Sequence, residues 1–152
     1  MVEQLKLENQ LCFPFYAASR LIIRAYQNDL DALGITYPQY LVLMVLWEKD
    51  NLSVIEIGEK LILNTNTITP LLKRMESQEL IARIPSEKDQ RKVMISLTEK
   101  GKLMQEKAAQ IPFNLLKKLQ IKEGTEQMEK LIDLRTQINE LITILKATEN
   151  IK

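Results

Sequence analysis

The sequence predicts a mainly α-helical protein that carries one small β-hairpin. Gly and Pro number only 4 and 5 among the 152 residues, so long helices and few loops are expected. Apolar residues recur at helical spacing through most of the chain, and only the stretch from Leu80 to Leu97 changes to the alternation of strands. Hydrophobic residues make up 45% and charged residues 27%, as expected for a globular domain with a sizeable core.

Composition also narrows the function classes. One cysteine and no histidine exclude a zinc site of the usual Cys/His type, a histidine-based catalytic triad and a disulfide within one chain. The net charge of +1 neither demands nor excludes nucleic acid. The start MVEQLKLENQ lacks an apolar signal segment, and no apolar run approaches the roughly 20 residues that span a bilayer. We therefore expect a cytoplasmic protein with no membrane partner, no metal and no cofactor.

Two helices are expected before residue 50. The first extends from about Lys6 to Leu33, where Gly34 supplies a stop, and Pro14 either bends it or marks its true beginning. The second begins at Thr36, which forms a capping-box pattern with Gln39. Its run YLVLMVLW is apolar all round, so this helix is expected at the buried centre of the domain.

A helix-turn-helix is expected next. A short helix over Val54–Leu61 follows a capping box between Ser53 and Glu56, and another helix begins near Asn64 or Thr65. This later helix has a buried stripe and an outer face that is polar and basic, as in a DNA recognition helix. The outer-face residues are Thr65, Asn66, Thr67, Thr69, Lys73 and Arg74, and we take them as candidate DNA contacts.

The period then changes to that of strands. Leu80–Ile84 and Lys92–Leu97 predict a hairpin around a charged turn, and a hairpin directly after a helix-turn-helix is a wing. Thr98 caps a fifth helix, which Pro112 kinks or interrupts.

A final helix is expected from about Thr125 to Ala147. Its apolar residues follow the three- and four-residue spacing of a helix-packing seam, so it needs a partner, for which the N-terminal helix of this or a second subunit is the candidate. The seam consists of Leu131, Leu134, Ile138, Leu141 and Leu145, widened by Ile132, Ile142 and Ile144.

This order of elements resembles the MarR family of bacterial regulators over essentially the whole chain. Asp89-Gln90-Arg91, followed by the strand and Leu97-Thr98, matches the family's D-x-R…L-T wing signature. The resemblance implies that residues 1–152 form a single MarR-type chain. In it, 1–34 and 99–152 would form a helical dimerisation region and 35–98 a winged helix-turn-helix, so that a homodimer binds near-palindromic double-stranded DNA.

Three further motifs resemble the organic-hydroperoxide-sensing branch, often called OhrR. They are LENQLCF at residues 7–13, ITYPQY at 35–40 and TITPLLKRME at 67–76. Asn64-Thr65-Asn66 stands where that branch more often has Asp-Ser-Gly, which puts the operator sequence in doubt. Related regulators of staphylococcal virulence and antibiotic resistance share the cysteine region.

The branch gives Cys12 a role. On its own, a single cysteine in a helix is more often a small buried hydrophobe, although a helix N-terminus favours the reactive thiolate. The resemblance implies a redox sensor in which Tyr26 and Tyr37 of the opposite subunit hold the thiolate. An organic hydroperoxide would oxidise Cys12 to sulfenic acid, and a low-molecular-weight thiol would then form a mixed disulfide.

The resemblance also assigns the wing. Arg91 would enter the minor groove, which attracts arginine where it is narrow, and Asp89 would orient it. Arg83, Lys88 and Lys92 are secondary candidates for phosphate contact.

Other interpretations remain open. One is a MarR-type regulator that binds a small aromatic ligand non-covalently and has an incidental cysteine. Others are a thiol peroxidase, which lacks a resolving cysteine here, and a helical interaction protein without DNA binding. Most of the remaining aromatic residues are expected in the core: Phe13, Phe15, Tyr16, Tyr40 and Trp47.

Overall fold

The computed structural model describes residues 2–86, 89 and 92–149, with Glu149 described for its backbone alone. Two short 3-10 turns, Glu3–Leu5 and Leu7–Asn9, precede the regular elements. These are α1 Cys12–Leu33, α2 Tyr37–Glu48, β1 Leu52–Ser53, α3 Val54–Leu61, α4 Thr65–Ser77, β2 Ile81–Pro85, β3 Val93–Leu97, α5 Glu99–Ala108, α6 Ile111–Lys118 and α7 Glu126–Glu149. The chain forms two compact units, residues 1–111 and 112–152.

The first helix begins six residues later than the sequence predicts. Residues before it form 3-10 turns because side-chain amides bond back to the backbone. Asn9 Nδ2 donates to the carbonyl of Glu3 at 2.9 Å, and Gln10 Nε2 donates to that of Lys6 at 3.3 Å. Such local bonds compete with helix formation. Pro14 lies in the first turn of α1, where its missing N–H costs nothing, so it marks the beginning of the helix and does not bend it.

Helix α2 is the centre of the first unit, as predicted. It packs against α1, α3, α4, α5 and β3. Gln39 supports its N-terminus by accepting from the Thr36 N–H at 2.8 Å. The side chains that it buries project in every direction around the axis, so the helix is apolar on all sides. They belong to Gln39, Tyr40, Val42, Leu43, Val45 and Leu46.

The helix-turn-helix follows the predicted boundaries. Ser53 caps α3, with Glu56 completing the reciprocal pair through a 2.8 Å bond from the Ser53 N–H. The turn is tight: the N–H of Leu63 donates to the carbonyl of Gly58 at 2.8 Å, and a Cβ at residue 58 would lie 2.8 Å from the Leu63 oxygen. Gly58 is therefore required by the close approach of the two helices.

The wing contains a strand that the sequence analysis does not predict. The sheet order is β1-β3-β2, all antiparallel. Strand β1 has two residues, with Leu52 opposite Ile95 and Ser53 opposite Met94. Two residues are too few to show an alternating pattern, so this pairing depends on tertiary contact alone.

Helix α5 packs closely on the base of the wing. Thr98 caps it as predicted, its Oγ1 accepting from the Gly101 N–H at 3.1 Å and donating to the Glu79 carbonyl at 2.6 Å. A Cβ at residue 101 would lie 2.2 Å from the Leu80 oxygen, so only glycine fits. Helix α5 ends at Ala108, and Pro112 is the second residue of a new helix, so it interrupts the predicted long helix.

The second unit contains α7, which extends two residues beyond the predicted end and begins at Glu126. Its apolar seam remains partly exposed within the single chain. Leu134 is 48% exposed and Leu145 54%. Surface of this kind on a long helix calls for a partner. The assignment of residues 1–34 and 99–152 to dimerisation stays a prediction.

Glycine 101 gives a direct test of this packing. We expect Gly101→Ala to lower the free energy of unfolding by about 2–3 kcal/mol, because the methyl group collides with a backbone oxygen that cannot move cheaply. Helix propensity alone predicts the opposite sign, a gain of about 1 kcal/mol. Urea unfolding followed by circular dichroism measures the difference.

The matched control is Gly34→Ala. Gly34 has a φ of +68° but nothing within 4 Å of its hypothetical Cβ. This change should therefore cost only about 1 kcal/mol of backbone strain. Equal losses for the two variants would contradict the steric explanation at residue 101.

Candidate thiol site and DNA-binding surface

Cys12 is the first residue of α1, and its side chain is exposed in the single chain. The interpretation of Cys12 as a small buried hydrophobe is therefore wrong for the single chain. The first turn of a helix presents backbone N–H groups without helical partners and the positive end of the helix dipole. The Cys12 sulfur therefore lies at the exposed N-terminal end of α1, where an oxidant can reach it.

Tyr26 and Tyr37 lie in one aromatic cluster. Their ring centroids are 5.5 Å apart, and that of Tyr40 lies 6.2 Å from Tyr26 and 6.4 Å from Tyr37. Trp47 extends the cluster along α2, with its ring centroid 6.2 Å from that of Tyr40. The cluster joins the middle of α1 to the whole length of α2.

Burial in this cluster raises the pKa of all three tyrosines. Desolvation is the main cause for Tyr26, Tyr37 and Tyr40, and the proximity of Tyr37 raises the pKa of the other two further. The phenols therefore stay protonated at neutral pH. A protonated phenol donates a hydrogen bond, which is what stabilisation of a thiolate requires.

The cluster is out of reach of the same chain's cysteine. Cys12 and Tyr26 are fourteen residues apart on one helix. At 1.5 Å per residue this is about 21 Å along the axis, well beyond the reach of the two side chains. Contact between Cys12 and Tyr26 therefore needs a second subunit, as the resemblance implies.

The other aromatic residues divide into two groups. Tyr40 is buried and Trp47 packs against the core, as predicted. Phe13, Phe15 and Tyr16 are exposed in the single chain, so their assignment to the core of the chain is wrong. Phe13, next to Cys12, lines an apolar depression of about 540 Å³ with the N-terminal turns.

The recognition helix α4 presents the predicted polar face. Thr65, Asn66, Lys73 and Arg74 are exposed and Thr69 is half-buried. Thr67 is exposed but partly engaged, because its hydroxyl donates to the capping oxygen of Asn64 at 3.0 Å. The opposite face is buried as predicted, with Ile68, Leu71, Leu72 and Met75 in the core. This face anchors the helix so that its polar side points outward.

The wing residues are only partly described. Arg91 and Lys88 lie outside the described residues. Asp89 is exposed, and its carbonyl accepts from the Lys92 N–H at 2.8 Å, which closes the turn. Arg83 pairs with Glu76 of α4 at 3.5 Å. This pair ties strand β2 to the recognition helix, and the phosphate contact of Arg83 stays a prediction.

The sequence analysis missed one connection between α2 and α4. Gln39 is 4% exposed, and its Nε2 donates to Oε1 of Gln78, the residue that ends α4, at 2.6 Å. The capping-box pattern accounted for only one end of the Gln39 amide. Helix α2 was predicted to be buried on all sides, and a buried amide needs partners for both its oxygen and its nitrogen. A partner for the Gln39 amide nitrogen should therefore have been expected.

Residues 2–86, 89 and 92–149 hold no cluster of three or more histidine, cysteine or acidic side chains suited to a metal ion. No single helix in this part of the chain is long and apolar enough to cross a membrane. Helices α1 and α2 meet that standard only together, as a pair bent by 74°.

A family model described as transcriptional regulator SarA/Rot matches residues 24–108. This match spans α2, the helix-turn-helix and the wing. The chain belongs to the SarA/Rot family of transcriptional regulators. It is 55% identical to the organic hydroperoxide resistance transcriptional regulator of Bacillus subtilis over 114 residues, which are 75% of this chain and 78% of that relative.

Solved structures that are similar to this chain share its fold. The reduced form of AbfR bound to DNA has a TM-score of 0.78 and 35% identity, covering 95% of each chain. The overoxidised form of AbfR, also bound to DNA, has a TM-score of 0.69 and 36% identity, covering 91% of this chain and 97% of that one. AbfR is a protein of Staphylococcus epidermidis. The fold of this SarA/Rot member is thus a winged-helix, DNA-binding fold of the MarR type.

The tyrosine cluster predicts an alkaline loss of stability. The raised pKa values mean that the folded state holds these phenol protons more tightly than the unfolded chain does. Their contribution is therefore complete below pH 10 and is lost as the pH rises from about 10 through the raised values. We expect the free energy of unfolding, measured in urea from pH 9 to 11.5, to fall across this window.

Tyr40→Phe keeps the ring and removes one of these phenols. Its free energy of unfolding should fall less steeply with pH than that of the wild type. Lysine deprotonation affects both proteins alike, so identical slopes would contradict the assignment.

Proposed function

We propose that the chain is a homodimeric transcriptional repressor that organic hydroperoxides inactivate by oxidising Cys12. One observation carries the proposal: an exposed cysteine begins α1 in a chain 55% identical to a regulator named for organic hydroperoxide resistance. The apolar depression beside Phe13 favours an organic peroxide over hydrogen peroxide, since apolar surface binds the organic group.

The chemistry needs no second cysteine. The Cys12 thiolate attacks the distal oxygen of the hydroperoxide, the O–O bond breaks, and the alkoxide takes a proton and leaves as the alcohol. Sulfur is oxidised to sulfenic acid while the peroxide is reduced. A low-molecular-weight thiol then attacks this sulfur, forming a mixed disulfide and releasing water. Another thiol restores Cys12 by exchange.

The thiol site is shared between subunits in this proposal. Cys12 and Tyr26 are too far apart along α1 to meet within one chain, and the exposed apolar residues of α7 call for a partner. The phenol O–H groups of Tyr26 and Tyr37 of one subunit would donate hydrogen bonds to the Cys12 thiolate of the other. The mixed disulfide has no negative charge for these donors to hold, and the dimer rearranges when it forms.

DNA binding follows from the symmetry of the dimer. Each subunit presents the outer face of α4 to a major groove and Arg91 to the neighbouring minor groove, with Asp89 orienting the arginine. The two-fold axis requires a near-palindromic operator. The overoxidised relative is described as bound to DNA. We therefore place release at the mixed disulfide, whose added bulk forces the subunits to shift.

Cys12→Ser tests the sensor. In an operator-binding titration, cumene hydroperoxide together with a small thiol should lower the affinity of the wild type by about 100-fold, a coupling of roughly 3 kcal/mol. The serine variant should bind equally well with and without them, because it lacks the nucleophilic sulfur.

Mass spectrometry of the same samples provides the control on chemistry. An adduct with the mass of the thiol is expected on the wild-type peptide that contains Cys12. Wild-type release without this adduct, or release of Cys12→Ser, would contradict redox sensing.

Arg91→Ala tests the wing. We expect operator affinity at matched salt to fall by about 100-fold or more, because each half-site loses a groove contact of roughly 1–3 kcal/mol. Lys130→Ala is the matched control, since it removes one positive charge from α7, where Lys130 pairs with Glu126 at 2.6 Å. Equal affinities for wild type and Arg91→Ala, both folded, would overturn the assignment.

A second candidate function is regulation by a non-covalent aromatic ligand. A cavity of about 740 Å³ lies between the α1–α2 turn and α4 and is lined by Arg74, Thr67 and Leu71 among others. The Arg74 guanidinium favours an aromatic carboxylate there, whereas the Asp31 carboxylate in the same lining opposes an anion. If this function is the true one, such a ligand releases Cys12→Ser from the operator as readily as the wild type.

A further inference from the structure

Residues at the C-terminal end of α2 form hydrogen bonds with the base of the wing. The sequence analysis assigned no role to these hydrogen bonds. We propose that Asp50, two residues after the end of α2, is a positioning residue that fixes the wing for entry into the minor groove. The inference rests on the proposed DNA binding and goes beyond it, because Asp50 itself touches no DNA in this scheme.

The Asp50 carboxylate connects two segments of the chain, the loop after α2 and strand β3. Its Oδ1 accepts from the Asn51 N–H at 2.8 Å and from the Leu97 N–H at 2.9 Å. Leu97 is the last residue of β3, so this bond attaches the strand that leaves the wing to the end of α2. The two bonds are forty-six residues apart in sequence, and only the fold brings them together.

Two further contacts surround this bond. Asn51 has a φ of 60°, in the left-handed region, and its Oδ1 accepts from the Ser96 hydroxyl at 3.3 Å. Trp47, one turn before Asp50, donates its indole N–H to the Gly101 carbonyl at 3.0 Å. The end of α2 therefore holds the β3–α5 corner at residues 96, 97 and 101.

The wing needs such an anchor. It is a hairpin of two five-residue strands with only the two-residue β1 beside it. A hairpin of this size is marginal alone, and its direction is set by what its base contacts. Helix α2 is the most buried element, so a bond to its end fixes the wing relative to α4.

A purely electrostatic role and a positioning role of Asp50 predict opposite changes in DNA affinity when Asp50 is replaced. Asp50 is exposed on the wing side of the domain, and removing a negative charge there favours polyanionic DNA. Loss of an anchor weakens binding instead. Asp50→Ala removes both the charge and the acceptor, whereas Asp50→Asn removes the charge and keeps an acceptor oxygen at Oδ1.

The experiment titrates the operator with four proteins at matched salt: the wild type, Asp50→Ala, Asp50→Asn and Glu59→Ala. Glu59 is an exposed carboxylate of α3 and controls for charge alone. We expect Asp50→Ala to bind about 10-fold more weakly, the effect of one charge-assisted bond. Asp50→Asn and Glu59→Ala should bind as tightly as the wild type or more tightly. Thermal unfolding checks that every variant is folded at the titration temperature.

A double-mutant cycle shows whether Asp50 acts through the wing. In an Arg91→Ala background, Asp50→Ala should cause no further loss, since the group that it positions is gone. If Asp50→Ala does not fold, Trp47→Phe takes its place in the cycle, because it removes only the indole donor to Gly101 and should weaken binding several-fold.

The outcomes separate the two proposals. Wild-type affinity in Asp50→Ala, equal losses in Asp50→Ala and Asp50→Asn, or additive losses with Arg91→Ala would each overturn the positioning role while leaving the proposed function intact. Failure of the wild type itself to prefer the operator over unrelated DNA would overturn the proposed function.

Discussion

Burial of α2 is the constraint on which the rest of the first unit depends. This helix is apolar on every side, so it is stable only when other elements cover it completely. Helices α1, α3, α4 and α5 and strand β3 supply that cover. Each of them is positioned by packing on one face of α2. Because the interior is close-packed, a shift of one of these elements displaces the others. The helix-turn-helix and the wing are thus positioned by the same buried helix.

The polar residues of α2 and its flanks gather at its two ends. At the N-terminal end, Tyr37 and Tyr40 join Tyr26 of α1, and Gln39 bonds to the end of α4. At the other end, Asp50 holds the last residue of β3. The ends are about 18 Å apart, the length of twelve helical residues. Helix α2 therefore connects the end that carries the tyrosines to α4 through Gln39 and, along its length, to the base of the wing through Asp50.

Local chemistry made much of this predictable. The boundaries of α3 and α4 follow from Ser53, Glu56 and Asn64, whose side chains satisfy helix-end N–H groups and act within four residues. The start of α1 was misplaced because periodic apolar residues continue past Gln10, where amide side chains bond back to the backbone instead. Strand β1 was missed because two residues are too few to show the alternation of apolar and polar side chains that indicates a strand. The Gln39–Gln78 bond joins distant segments and has no local pattern.

The sequence by itself determined the helix-turn-helix, the hairpin, the polar face of α4 and the presence of a single cysteine. Each of these depends on residue types within one or two turns of chain. Only the tertiary structure decided that Cys12 is exposed, that burial in one cluster raises the pKa values of three tyrosines, and that Asp50 reaches Leu97. The tyrosine cluster and the Asp50–Leu97 bond need segments far apart in sequence to meet. The burial of α2 brings those segments together.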